Sequence, residues 1–198
     1  MVSTPNLDQT ISLLLVAPVG KQPPIICFLT GSSGCGKTFL AESIAVKLKG
    51  LKAEIIHFDR VGVPTVEKMI SECGSVDKWQ EKTTREWVNR IAAIRDKAVV
   101  FFEGQYNPKF ALDAAMAKGL KDYKLAVVTA DQTIWQARLS GSRGQPALVN
   151  DDMRNWAKYL KDETVKLGGA VIDTSKSNVD KNIEEVMTLV NPLLARRC

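Results

Sequence analysis

Histidine is almost missing from this 198-residue chain: His57 is the only one. Cysteine is sparse too, with Cys27, Cys35, Cys73 and Cys198 forming no C-x-x-C pair. A zinc site needs Cys and His ligands clustered at short spacing, so that chemistry is excluded. Four cysteines without a framework also exclude a disulfide-stapled scaffold and suit a reducing cytoplasm, the expected location. Long hydrophobic runs are lacking. The apolar run at residues 11–17 follows Asp8 rather than a basic leader and is too short to span a bilayer. Neither a membrane span nor a signal peptide is therefore expected. There is no internal repeat and no low-complexity tract. Charge of one sign is in small excess only: 27 Lys plus Arg against 22 Asp plus Glu, a net +5 spread along the chain. That balance points to a pocket for anions on an ordinary solvated surface and away from a nucleic-acid footprint. Trp79, Trp87, Trp135 and Trp156 lie in amphipathic stretches, with no basic-interleaved ladder that would stack bases.

What is present is ordinary for a globular protein: 45% hydrophobic and 25% charged residues, at a length that suits one domain. Residues 1–24 are expected to form an N-terminal extension. Its apolar run reads as a strand or helix turn on the domain edge, and Lys21-Gln22-Pro23-Pro24 as a stiff lead-in. Residues 25–198 read as short apolar runs alternating with amphipathic stretches. Runs at 25–30, 54–58, 98–102, 125–128 and 170–172 predict strands buried on both faces. Helical spacing recurs at 37–49, 66–72, 76–97, 108–118, 132–139, around Met153-Trp156-Ala157-Leu160, and at 179–190. This alternation predicts an α/β fold: three layers, a five-stranded parallel sheet and helices on both faces. Ligands of such sheets bind at the carboxyl ends of the strands. Gly31, Asp59, Glu103 and Asp173 each directly follow a predicted strand, so four separate stretches deliver glycine or acid to one edge.

The most specific motif is Gly31-Ser32-Ser33-Gly34-Cys35-Gly36-Lys37-Thr38, a gapless G-x-x-x-x-G-K-[ST] between a strand and a helix. Glycines at 31, 34 and 36 let the backbone take positive φ and approach an anion. Successive N–H groups then form a nest, to which the helix N-terminus adds partial positive charge. Lys37 would reach the β- and γ-phosphates of ATP, and the Thr38 hydroxyl would bind Mg²⁺, with phosphate oxygens and water completing its shell. Cys35 reads as a small filler in the loop.

Other residues face that loop. The carboxylate of Asp59, beside Arg60, can accept the proton of an attacking hydroxyl and align it with the γ-phosphate. Glu103 can hold a water of the Mg²⁺ shell, and Gln105 can hydrogen-bond an acceptor. The stretch Arg138-Leu139-Ser140-Gly141-Ser142-Arg143-Gly144-Gln145-Pro146 places two arginines around a loop that can hinge. Guanidinium groups there can stabilise charge on a transferring phosphoryl group or stack on a purine. Arg85 and Arg90 are candidates to hold an anionic acceptor; Arg95 and Arg154 read as helix-surface charges.

In this order, phosphate loop, Asp after strand two, acid after strand three, arginine-bearing lid and Asp173-Thr174-Ser175 after strand five, the chain resembles the nucleoside-monophosphate-kinase-like group of P-loop kinases. Adenylate, shikimate and gluconate kinases belong to that group. The resemblance covers nearly all of residues 25–190 and is nearest in layout to gluconate kinase, through Val66-Glu67-Lys68-Met69-Ile70, Asp77, Trp87 and the Arg138-Leu139 that opens the lid. It implies a sheet of order 2-3-1-4-5, a small lid at about 138–152, ATP as donor and Mg²⁺ as its metal. It further implies that Asp59 is the acceptor-side base and Arg138 stacks near adenine. Arg143 would touch phosphate, and Asp173-Thr174-Ser175 would pass along the adenine. The chain departs from gluconate kinase at Arg60-Val61-Gly62-Val63-Pro64 and at Arg143-Gly144-Gln145-Pro146, where substrate is read, so no named acceptor is implied. The expectation is a kinase of a small-molecule acceptor, a monomer or homodimer. A kinase of a macromolecule and a regulatory ATP-binding switch are the alternatives.

Overall fold

The computed structural model describes residues 5–141 and 143–198. Residues 1–4 of the expected extension and Ser142 of the expected lid lie outside the described residues. The apolar run Ile25–Thr30 forms β1, buried at every position. A strand can be buried on both faces only if each face is covered. Ile25, Cys27 and Leu29 point into one core, and Ile26 and Phe28 into the other, the period-two alternation of a strand. Val99–Gly104 forms β3, equally buried, paired in parallel with β1 from Ile25↔Val99 to Thr30↔Gly104. Tyr123–Thr129 forms β4 on the other side of β1. The outer strands are β2, Ala53–His57, and β5, Ala170–Asp173. All pairs are parallel, and the order is β2-β3-β1-β4-β5.

Helices α1 (Pro5–Val16), α2 (Lys37–Lys47) and α8 (Val179–Ala195) contribute to the first core, around Leu14, Leu40, Ile44, Val186 and Val190. Helices α3 (Val66–Cys73), α4 (Val76–Ile91) and α5 (Pro108–Ala117) contribute to the second, around Met69, Val88, Ile91, Tyr106 and Ala111. Gln132–Ser140 is α6, at the carboxyl edge of the sheet after β4, and Asp151–Lys166 is α7. Among the described residues no helix is long and apolar enough to cross a membrane.

Three elements differ from their sequence expectations. The run expected as a strand or single turn is the body of the 12-residue α1. A helix this short is marginal alone, and distant side chains satisfy both its ends. Glu184 of α8 accepts from the backbone N–H groups of Asn6 (3.2 Å) and Leu7 (2.9 Å). Lys52 donates to the carbonyls of Leu15 (3.1 Å) and Ala17 (2.8 Å). Helix α4 stops at Ile91, short of residue 97, and beyond it the Arg95 guanidinium takes the carbonyls of Ala92 and Ile94. Helix α8 continues through Pro192 to Ala195; burial of Leu193 and Leu194 offsets the hydrogen bond that proline removes.

Leu14 is fully buried where α1 joins the first core. Leu14→Ala is expected to cost about 2–5 kcal/mol, read as a shift in the denaturant midpoint; an unchanged midpoint would show that α1 adds nothing to stability.

Candidate active site

The turn after β1 is shaped by what holds its carbonyls. Lys37 is buried, and its ammonium donates back across the turn to the Ser32 carbonyl (3.3 Å). The indole N–H of Trp135 donates to the Ser33 carbonyl (2.7 Å). The Cys35 carbonyl accepts from Thr174 Oγ1 (2.7 Å) and Arg138 Nη1 (3.2 Å). A peptide's C=O and N–H point opposite ways, so carbonyls tied to the walls leave the N–H edge for an anion. Gly36, at φ +93°, is the N-cap of α2 and supplies no side-chain cap, so the first-turn N–H groups of α2 are not capped from there. A Cβ on Gly36 would press on Arg138 Nη1 at 3.1 Å, and one on Gly31 would strike the Val128 carbonyl oxygen at 2.5 Å. Cys35 is buried within the turn.

Parallel register brings an acid beside this loop. His57 ends β2 opposite Glu103 of β3. The Glu103 carboxylate is buried, 2.6 Å from His57 Nδ1, and lies 3.4 and 3.5 Å from Thr38 Oγ1. Thr38 and Glu103, 65 residues apart, thus present hard oxygen donors to one point. Among the described residues no group of three or more His, Cys, Asp and Glu could hold a metal ion. A cation here would take its remaining ligands from phosphate and water.

Beyond β2 the chain makes a short 3-10 turn, Phe58–Val61. Phe58 is buried against Gly104, where a Cβ would approach Phe58 Cβ to 2.3 Å. The Trp87 indole donates to the Phe58 carbonyl (3.0 Å). With Phe58 anchored, Asp59 and Arg60 stand exposed, and among the described residues no side chain is bonded to the Asp59 carboxylate. Gln105 is half-buried; its carbonyl accepts from the Gln80 amide (3.2 Å), whose oxygen accepts from the Asn107 N–H (2.8 Å). Gln80, which carries no motif, therefore sets the loop after β3. Arg85 lies exposed on α4 in an ion pair with Glu81 (2.6 Å), and Arg90 sits over the Trp87 ring.

A cavity of about 550 Å³ opens on the α2 and α8 side of the loop. Gly34, Gly36, Thr38, Arg138, Arg143 and Thr174 line it, with Val179 and Asn182 from α8. That size suits a small-molecule ligand. Arg138 donates to Thr174 Oγ1 (2.8 Å) and to the Thr174 carbonyl (3.2 Å), fixing its guanidinium on the wall. A second cavity of about 360 Å³ shares Ser32 with the loop and is lined by Trp135, Arg154, Lys158 and Lys161. Arg154 pairs with Asp151 on its own helix and also lines this cavity. Its sequence signal was the spacing that puts it on one face of α7 with Lys158 and Lys161.

No protein-family model and no curated protein sequence matches the chain. Solved structures do. A gluconokinase from Sinorhizobium meliloti 1021 is 16% identical, with 89% of this chain and 97% of that chain covered and a TM-score of 0.63. Thymidylate kinase from Candida albicans is 13% identical, over 87% of this chain and 93% of that one, at 0.59. Shikimate kinase from Acinetobacter baumannii is 14% identical, over 89% and 96%, at 0.54. The fold is that of the P-loop kinases.

In this P-loop kinase fold the segment after β5 is held by its own acid. Asp173 accepts from the Ser175 N–H (3.0 Å) and hydroxyl, and pairs with Lys176 (3.1 Å). Partial burial alone would raise its pKa; the bonds from Ser175 and Lys176 outweigh that and hold the carboxyl below its ordinary value of 3.8. A lowered folded value means stabilisation that is present above the ordinary value and lost as pH falls through the folded one. Asp173→Asn should therefore melt below wild type at neutral pH and converge with it in acid. A gap that stays constant with pH would assign the loss to packing instead.

Proposed function

We propose that the chain is an ATP-dependent kinase that transfers the γ-phosphoryl group of Mg-ATP to a hydroxyl or phosphate of a small acceptor. The observation that carries this reading is the convergence at one sheet edge. A glycine-rich loop with a buried lysine, a hydroxyl–carboxylate pair and an exposed carboxylate with no side-chain partner among the described residues stand on three neighbouring strands. Small-molecule kinases among the structural neighbours support the same class.

In this reading the backbone N–H groups of Gly31 to Thr38 bind the phosphates, and Lys37 neutralises the β- and γ-phosphates. The wall formed by Arg138 and Asp173-Thr174-Ser175 receives the adenine. Thr38 and Glu103 fit Mg²⁺ by donor chemistry: Thr38 would ligate it directly, and Glu103 would hold one of its waters. When bound, Mg²⁺ would supply charge neutralisation along the phosphates. Asp59 takes the proton of the acceptor hydroxyl and aligns its oxygen for in-line attack. Arg143 stabilises charge on the transferring group. Gln105 and Arg60 are the acceptor-side polar groups, and Arg85 is left to the surface by its pairing with Glu81.

One observation favours a macromolecular acceptor as a second reading. Around Asp59 the surface is open, with Val61, Val63, Val66 and Ile70 all exposed. Turnover that falls steeply with salt would mark that acceptor as a nucleic acid.

The test is ADP release from Mg-ATP with sugar acids, nucleosides, nucleoside monophosphates, shikimate or short oligonucleotides as acceptors. Stimulation by a small-molecule class is expected. Tight ATP binding with no stimulation by any of them would overturn the reading in favour of a regulatory switch. Asp59→Asn should keep ATP affinity while lowering turnover by about 10²–10⁴-fold; unchanged turnover would remove Asp59 from the role of base.

A further inference from the structure

His57 holds a place that neither the loop nor the acceptor explains. It closes β2, and its register partner on the neighbouring strand is Glu103. Parallel neighbours in register present their side chains to the same face of the sheet, and here they meet at 2.6 Å between Nδ1 and Oε1. Two bare lone pairs at that separation would repel, so a proton lies between them; with Glu103 ionised it is the Nδ1 proton, and the carboxylate accepts it. This follows whichever state Nε2 is in.

We infer that His57 is a positioning residue that fixes the Glu103 carboxylate and thereby sets how tightly Mg²⁺ binds alongside nucleotide. The inference rests on the kinase reading above. Glu103 has three rotatable side-chain bonds and sits 95% out of solvent contact, its side chain only 5% exposed. A buried carboxylate needs donors. The donors near it are His57 and, more distantly, the Thr38 hydroxyl. At 3.4 and 3.5 Å, Thr38 stands beyond the usual 2.5–3.0 Å of an O–H···O bond. The short bond from His57 to Oε1 thus fixes the carboxylate, with both its oxygens facing the Thr38 hydroxyl at 3.4 and 3.5 Å. Without the imidazole, the carboxylate would turn onto Thr38 and take the hydroxyl that the cation needs. Partners of this kind behind a metal site commonly set affinity by about 10–100-fold.

The experiment is Mg²⁺ titration of a fluorescent ATP analogue bound to the full chain, repeated in EDTA. His57→Leu should raise the Mg²⁺ concentration for half-maximal binding by about 10–100-fold and leave metal-free nucleotide affinity unchanged. His57→Asn, whose amide N–H can stand near the position of Nδ1, should restore most of the loss. In a Glu103→Gln background, where no buried charge is left unpaired, His57→Leu should add no further defect. An unchanged Mg²⁺ requirement in His57→Leu, an equal loss in His57→Asn, or full additivity with Glu103→Gln would each overturn the inference. A wild-type protein that binds the analogue with no response to Mg²⁺ would overturn the kinase reading and this inference with it. A wild type that responds while His57→Leu matches it would overturn this inference alone.

Discussion

Three carbonyl groups in the turn after β1 are held by side chains, two of them from outside the turn, and the rest of the site depends on that. Lys37, Trp135 and the Arg138–Thr174 pair take the carbonyls of Ser32, Ser33 and Cys35. An anion nest works only if its N–H groups converge before the anion arrives, because turning peptides at the moment of binding would cost affinity. The ties to Ser33 and Cys35 come from α6 and from the segment after β5, so that part of the loop's shape is set by the right-hand half of the sheet. On the left, β2 and β3 bring the carboxylates. The P-loop is the seam between them.

The two sides differ in how firmly they are built. The cavity side is walled by α2, α8 and the Arg138–Thr174 contact, around a volume of about 550 Å³. The Asp59 side has an anchored floor, Phe58 under Gly104 and Trp87 on the Phe58 carbonyl, but an open surface of Asp59, Arg60 and aliphatic side chains. Anchoring the turn through Phe58 lets Asp59 stay exposed without losing its place.

Much of the fold was legible in the sequence for a simple reason. A strand buried on both faces has to be a continuous apolar run, and residues 25–30 and 98–102 are such runs. The P-loop was legible because its glycines, lysine and threonine are each required by backbone geometry or by charge. The Asp and Glu that follow the strands were legible only by position. His57 and Gln80 were not. Each acts through one partner distant in sequence, Glu103 for His57 and the 105–107 loop for Gln80, and nothing local marks a residue for such work. Arg154 was read as surface because spacing shows which face of α7 it occupies and not what that face covers. Helix α1 was misread because its caps, Glu184 and Lys52, lie elsewhere in the chain.

By itself, then, the sequence determined the parallel α/β architecture, the phosphate loop and the acids that end its strands, because these follow from hydrophobic period and from the backbone needs of glycine. Tertiary structure alone decided which carbonyls are tied outward, that His57 grips Glu103, and that Arg154 lines a cavity. Those outcomes depend on strand register and helix packing, which join residues tens of positions apart. No local pattern encodes a distance across the sheet.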